Sequence, residues 1–373
     1  MRYYTTNIDQ LSLEPERLEV RGKDIRRLIG KIGVVQMFGL VVDGTVLDGA
    51  QVVALDSLLI EARLSLGVNH PAFRAVILAK RAGVPPHRAI MAGLAIGFED
   101  IVERFSSKGA EYRFSPELIE GAVYFGVLAR LLEIAVHGLE TEPVSASTFL
   151  QAILAGLQPN SVCVSTKDLK ALEAVLVSVQ AGFGPFIPSS SLPRYAAVAK
   201  ASTGLCLLTG LVGAEITLAF GCEKIMDILS EVARTPNFDI DARIMEQRRL
   251  NACLPGFGHL LFERDPRVVR LRDYFSEIGF APPALECFDR LCHAIKEHFG
   301  LNPFIDALSA AVFADLSLPI ESVSTLLLCM RSSSMIAHAI EARQRSTPTR
   351  SDARKAILTA IRSRKAEGDL LSW

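Results

Sequence analysis

Apolar residues recur through most of this chain at steps of three and four, and alternating runs rich in Val, Ile and Thr are scarce, so helices must bury its hydrophobic surface. An all-α fold follows. With 373 residues, 50% of them hydrophobic and 22% charged, there is material for a large core and, at ~150 residues per domain, for about two domains. The spacing predicts helices over 50–65, 71–82, 87–97 and 115–137, and one starting at Asp24 that Gly30 interrupts. Pro85-Pro86, Gly138 and Pro143 punctuate them. Residues 181–193, AGFGPFIPSSSLP, concentrate Gly, Pro and Ser and are expected to form a loop beside a site, followed by one long apolar helix over about 194–231. The basic tail from Arg343 to Lys365 is expected to be a solvated terminal helix.

Composition removes several classes of function. Lys+Arg 40 against Asp+Glu 41 gives no positive field for a phosphate backbone, so nucleic acid is not expected as a partner. The apolar stretch from Lys200 to Glu223 is long enough to raise a membrane span, but Glu215 lies within it, at ~3 kcal/mol on insertion scales. A helix buried in protein is expected instead, with Glu215 paired to Lys200 or to an arginine from elsewhere, or else serving as an acid of raised pKa. The 7 cysteines are odd in number, lie mostly in apolar runs and form no CxxC, so neither a disulfide framework nor a zinc site is suggested; Cys222 reads as core packing. No apolar segment follows the first basic residue of MRYYTTNIDQ, so no secretory signal is expected and a cytoplasmic location fits best.

Three segments can carry chemistry. In LPGFGHLLFERDPRVVRL, residues 254–271, Gly256 and Gly258 allow close backbone approach just before His259, while Asp265-Pro266 makes an N-cap and N1 pair that puts Arg267 in a first helical turn. In NPFIDALSAAVFADLSLP, Asn302 is expected as N-cap and Pro303 as N1, with Asp306 one turn in, where the helix dipole favours a carboxylate. In LLLCMRSSSMIAHAIEARQ, Arg331 and His338 fall two turns apart on one face. Arg331 follows nine uncharged residues and needs a partner, which either a structural acid or a ligand carboxylate could supply.

Together these segments resemble the citrate synthase superfamily, including its citryl-CoA lyases. GFGH, then DPR, then Asp306 thirteen residues before Pro319, Arg331 twelve after it, and IAH stand in the family's order; RGKDIRRLIGK and ASTG at 201–204 are similar to further family segments. The resemblance implies a helical fold with a large domain, 1–217 and 328–373, and an inserted small domain, 218–327. Asp306 would be the base that takes the α-proton of an acyl-CoA, His259 would polarise the carbonyl of a 2-oxo acid, and Arg267 and Arg331 would bind carboxylates. Leu254, Pro255, Gly256, Phe257 and Gly258 would lie against coenzyme A, a substrate and not a permanent cofactor; no metal is implied. A symmetric homodimer is expected from the same likeness.

Two family histidines are replaced. Leu218 stands where the enol-stabilising histidine belongs, and Phe183 where a histidine contacts the oxo acid, with Gly182 in place of the acid before it. A removed oxyanion donor typically costs ~3 kcal/mol, so ordinary citrate synthesis is not expected. Phe183 and Leu218 would line an acceptor site suited to apolar groups. Either the chain is an acyl-CoA enzyme with altered acceptor specificity, making or cleaving a C–C bond, or it is a non-catalytic CoA-binding or regulatory subunit. The arginine-rich segment that the family sends to the neighbouring subunit's substrate is not recognisable here; Arg350 or Arg354 could substitute for it, but that is the less favoured reading.

Overall fold

Short polar caps and glycines divide the chain into helices. The computed structural model describes residues 5–107, 113–138, 146–158, 164–217, 221–235, 238–249 and 254–345. It opens on an antiparallel sheet of order β1-β2-β3, formed by β1 (Asp9–Leu13), β2 (Glu16–Val20) and β3 (Lys23–Asp24). Leu18 and Val20 are buried while Arg17 is exposed and Glu19 half-buried, the period-two alternation of a half-buried strand. These strands lie outside the helical expectation, although Leu11, Leu13, Leu18 and Val20 carried their signal in the sequence.

Asp24 caps α1 (Ile25–Leu28), which ends before Gly30, and α2 (Val34–Asp43) closes on Gly44 at φ 85°. Then come α3 (Gly49–Ser65), α4 (Pro71–Arg81), α5 (Pro86–Ile96), α6 (Glu99–Ser107) and α7 (Pro116–His137), each of the four predicted ranges matched within a residue. They are followed by α8 (Phe149–Leu157), α9 (Thr166–Val179), α10 (Pro188–Val198), α11 (Thr203–Thr217), α12 (Gly221–Arg234) and α13 (Ile240–Arg249). The last four are α14 (Pro266–Ile278), α15 (Pro283–Phe299), α16 (Ile305–Asp315) and α17 (Ile320–Arg345).

The expected single helix over 194–231 is broken at Lys200. Lys200 adopts a left-handed φ of 64°, and the Ser202 hydroxyl accepts a hydrogen bond from the Leu205 N–H, so a local cap overrides continuous apolar periodicity. The α10 and α11 segments then fold back on each other so closely that a Cβ at Gly213 would lie 2.6 Å from the Pro188 backbone. The loop expected over 181–193 ends early, because Pro188 starts α10 at N1 and Pro193 is held inside it. Glu215 pairs with Arg88 of α5 and not with Lys200, and His87 lies 3.6 Å away. The hydrogen bond from Arg88 outweighs a small desolvation effect and holds this carboxyl below its usual range, which removes it as an acid of raised pKa.

Helix α17 organises the core. It is buried from Ser322 to Ala342 on every side, and α2, α7, α10, α11 and α12 pack around it. Among the described residues it alone is long and apolar enough to cross a membrane, and its apolar stretch is wholly inside the protein. Beside it α7 crosses α3 at a point where a Cβ on Gly126 would sit 2.6 Å from the Leu59 carbonyl oxygen. This crossing carries a buried ionic triad: Arg63 Nη2 donates to Glu133 Oε2 at 2.9 Å and Arg130 Nη1 lies 2.7 Å from Glu133 Oε1. Removing the acid from such a cluster leaves buried cations without their counter-charge. Glu133→Ala is therefore expected to lower stability by about 3–5 kcal/mol, measured by urea unfolding.

Candidate functional site

The glycine segment is zipped to the approach of α16. The Gly258 N–H donates to the Asn302 carbonyl at 2.9 Å, the Phe304 N–H donates to the Gly256 carbonyl at 2.9 Å, and Phe257 bridges Pro303 between them. Gly256, at φ 75°, packs against α16 so tightly that a Cβ would meet that of Ala307 at 2.8 Å. Leu254 and Pro255 are half-buried, Gly256 and Phe257 buried, and Gly258 exposed. This pairing moves the start of α16. Asn302 is not its cap, since Asn302 Nδ2 donates to the Glu263 carbonyl at 2.9 Å; Phe304 remains extended and the helix begins at Ile305.

Capping comes from Asp265 instead. As expected, Asp265 and Pro266 start α14, with Asp265 accepting from the Arg267 N–H at 3.0 Å. The same carboxylate accepts from Arg267 Nε at 2.9 Å, from Arg267 Nη2 at 2.6 Å and from the Ile305 N–H at 3.2 Å. One buried acid thereby fixes two helix starts and the guanidinium. Burial pushes its pKa upward, but Arg267 outweighs that and holds it below the usual carboxylate range. Arg267 is 1% exposed, and its Nη1 has no hydrogen-bond partner among the described residues.

His259 has its tautomer set by the backbone. Nδ1 accepts from the Leu261 N–H at 3.1 Å and the Phe262 N–H at 3.2 Å, so a neutral ring carries its proton on Nε2. Burial, with the nearby Arg267 and Arg331 charges, lowers its pKa to about 4, so the ring is a neutral donor at physiological pH. It stacks on Phe262 at 5.1 Å, meets Phe304 edge-on at 5.6 Å and lies 5.2 Å from Phe183.

Phe183 occupies the middle of the cluster. The Arg267 guanidinium carbon lies 4.9 Å and that of Arg331 5.3 Å from its ring centre. Arg331 projects from α17, 6% exposed, with no hydrogen bond among the described residues; burial, then repulsion from Arg267, brings its pKa down to about 10. Asp306 lies in the first turn of α16, where burial raises its pKa against the pull of Arg331 and Arg267, and Asp265 raises it further. Asp306, His259, Arg267, Arg331 and Phe183 thus form one electrostatic unit, assembled from α14, α16, α17 and two loops. A pocket of about 520 Å³ adjoins the outer side of Phe183, lined also by Leu11, Pro185, Phe186 and Leu261.

Other predicted positions fall elsewhere. Leu218, Arg350 and Arg354 lie outside the described residues. Cys222 is buried, and desolvation drives its thiol pKa well up, in keeping with core packing. Glu223 accepts a hydrogen bond from Ser324 Oγ at 2.6 Å, and burial raises its pKa. His338 shares α17 with Arg331 but turns to Asp9 on β1, a buried acid that sequence reasoning missed. Its only signal was a charged residue opening β1, ahead of the alternating Leu11 and Leu13.

The fold and the cluster define a class: a helical protein with a carboxylate, an imidazole and two guanidiniums gathered between helices. The family model "Citrate synthase, C-terminal domain" matches residues 1–352, and the chain belongs to the citrate synthase family. Its fold is similar to that of the citrate synthase from Thermoplasma acidophilum solved in ternary complex with carboxymethyl coenzyme A and oxaloacetate, with a TM-score of 0.71 and 15% identity over 92% of this chain and 90% of that one. It is also similar to citrate synthases from Pyrobaculum aerophilum (0.68, 18% identity, 92% and 88% covered) and Thermotoga maritima (0.65, 15%, 92% and 91%). A comparison with curated protein sequences gives no match.

The histidine makes a pH prediction. Its folded pKa of about 4 lies below the ordinary 6.5, so between these values the unfolded chain binds a proton that the folded one refuses. The stability this contributes is complete above about pH 6.5 and is lost as pH falls through about 4. Thermal unfolding across this window is expected to show a stability that rises with pH. The slope should be shallower in His259→Asn, whose side-chain oxygen can still accept the two backbone bonds.

Proposed function

We propose that this chain is a coenzyme A thioester enzyme that makes or cleaves a carbon–carbon bond between an acyl α-carbon and the carbonyl carbon of a 2-oxo acid, with an acceptor less polar than oxaloacetate. The observation that carries this is a buried donor without a partner among the described residues, Arg267 Nη1, with a second guanidinium, Arg331, that makes no hydrogen bond among them, beside an imidazole whose only N–H is Nε2. A buried donor left unmade costs ~1–3 kcal/mol, and a ligand carboxylate would satisfy Arg267 Nη1 and pair with Arg331.

In the synthetic direction Asp306 takes the α-proton and the electron pair moves into the thioester carbonyl. Its raised pKa strengthens it as a base once ionised. The enolate carbon attacks the oxo carbon, and the π electrons pass to an oxygen whose developing charge His259 Nε2–H binds; this alkoxide takes a proton from water, and the hydroxide so formed removes the proton that Asp306 took, which restores the carboxylate. Arg331 and Arg267 Nη1 hold the acceptor's carboxylate. Cleavage is the same path reversed. Leu254 to Gly258 would face coenzyme A, Phe183 and Leu218 would exclude a polar acceptor group, and closure of a small domain, 218–327, over a large one, 1–217 with 328–373, would expel water. A cytoplasmic homodimer completes the proposal.

The Phe183 ring, filling the room between the guanidiniums, also favours a second possibility, a non-catalytic CoA-binding subunit. Acetyl-, propionyl- and longer acyl-CoA incubated in deuterated water, with and without 2-oxo acids, separate the two. Exchange at the α-carbon that falls by about 10²–10⁴-fold in Asp306→Asn supports the enzyme; thioester binding with no exchange and no release of free coenzyme A overturns it.

Acceptor choice has its own test. Phe183→Ala opens space for a second carboxylate and is expected to tighten oxaloacetate binding by roughly 10–100-fold in calorimetric titration. Tight binding to the unmodified protein would contradict the role given to Phe183.

A further inference from the structure

Residue 182 is a glycine whose absent side chain has a replacement. A Cβ there would overlap Asp9 Oδ2 and lie 2.5 Å from Ser334 Oγ. Asp9 comes from β1, on the far side of the sequence, and is 1% exposed. Its carboxylate accepts from the Gly182 N–H at 3.1 Å and from the Gly184 N–H at 2.6 Å, the two amides that flank Phe183. It also accepts from Ser334 Oγ at 2.9 Å and faces His338 Nε2 at 3.2 Å.

The supports behind it are equally defined. Arg194 Nη1 can only donate, and it faces His338 Nδ1 at 3.1 Å, so the imidazole proton lies on Nε2 and points to Asp9. Glu341 holds the same Arg194 nitrogen at 2.6 Å, and the Thr5 carbonyl accepts from Nη2 at 3.2 Å. A buried chain of charge-assisted bonds from α17 and α10 therefore ends on the carboxylate that straddles residue 183. Such bonds are short and directional, and they fix orientation better than apolar packing does.

We infer that Asp9 is a positioning residue: it supplies from β1 the carboxylate that would otherwise come from position 182, and by clamping the amides on either side of Phe183 it sets that ring as a fixed wall between Arg267 and Arg331. The consequence for acceptor choice rests on the function proposed above, whereas the clamp itself does not. The exchange of a carboxylate between two distant positions gives a testable signature. Gly182→Asp alone forces two carboxylates into one space, Asp9→Ala alone empties it, and the two together restore one carboxylate.

The test uses the full chain with 4-fluorophenylalanine placed at position 183, read by fluorine resonance, together with thermal unfolding. The unmodified protein is expected to give one sharp line. Asp9→Ala loses it to broadening or multiple lines, Gly182→Asp lowers the unfolding temperature, and Asp9→Ala/Gly182→Asp recovers both. Val175→Ala, a buried substitution in α9, lowers stability but leaves the line unchanged. A single sharp line surviving in Asp9→Ala, or a double variant as perturbed as the two singles combined, overturns the inference. Should Asp9→Ala fail to fold, folding of the double variant supports the clamp and its failure overturns it. None of these readouts needs turnover, so an inactive protein with an intact rescue cycle removes the proposed activity and leaves the clamp standing.

Discussion

The Asp265 carboxylate is the interaction on which the site depends. Four N–H groups converge on it, three from Arg267 and one from Ile305, tying the first turn of α14 to the first turn of α16. Buried ion pairs contribute little net stability compared with hydrocarbon of the same volume, because both charges lose their water. What this pair contributes is geometry. It aims a guanidinium whose remaining nitrogen is unspent, and it anchors the helix whose second residue is Asp306. The glycine segment adds a second tie between the same regions through Gly256 and Gly258, so His259 and Asp306 move as parts of one frame.

Local chemistry was legible in the sequence; chemistry arriving from a distance was not. Asp265-Pro266 could be read as a helix start because cap and helix are adjacent, and the α3, α4, α5 and α7 boundaries were legible for the same reason. Asn302 failed as a cap because the carboxylate that caps α16 lies forty residues earlier and the intervening backbone is paired to Gly256. The break at Lys200 was hidden because separate helices packed inside one protein show the same apolar run as a single long one. Asp9 and His338 could not be connected, since nothing in the sequence brings β1 to α17. The grouping of Asp306, His259, Arg267 and Arg331 was legible only through family resemblance, while spacing alone left Arg331 open between a structural acid and a ligand.

Phe183 turns the two arginines into a competition. Cation–π contacts are worth ~0.5–2 kcal/mol each, whereas hydrogen bonds to a charged group are worth ~1.5–3 kcal/mol. An aromatic wall therefore keeps two buried cations from being wholly unpartnered, yet it leaves a carboxylate the stronger partner for both. A leucine at the same place would remove the aromatic face from both guanidiniums, leaving Arg267 its pair with Asp265 and Arg331 without a hydrogen-bonded or aromatic partner among the described residues. This gives an aromatic ring there a physical purpose beyond filling space.

Charge balance then limits what such a carboxylate can belong to. Asp265 neutralises Arg267, and Asp306 in its ionised form is opposed by Arg331, so with that acid ionised these four groups sum to zero. Under the proposed function, an incoming carboxylate would draw on Arg331 and weaken the attraction that favours the ionised form of Asp306, making that acid more basic. In that proposal, acceptor binding and proton abstraction are coupled in the useful direction. With the Phe183 ring standing between the two guanidiniums, a second carboxylate would meet hydrocarbon in place of a cation, an obstacle that Phe183→Ala removes. Its desolvation would go uncompensated while the ring is in place, which is the physical basis for proposing an acceptor with one charged end and one apolar end.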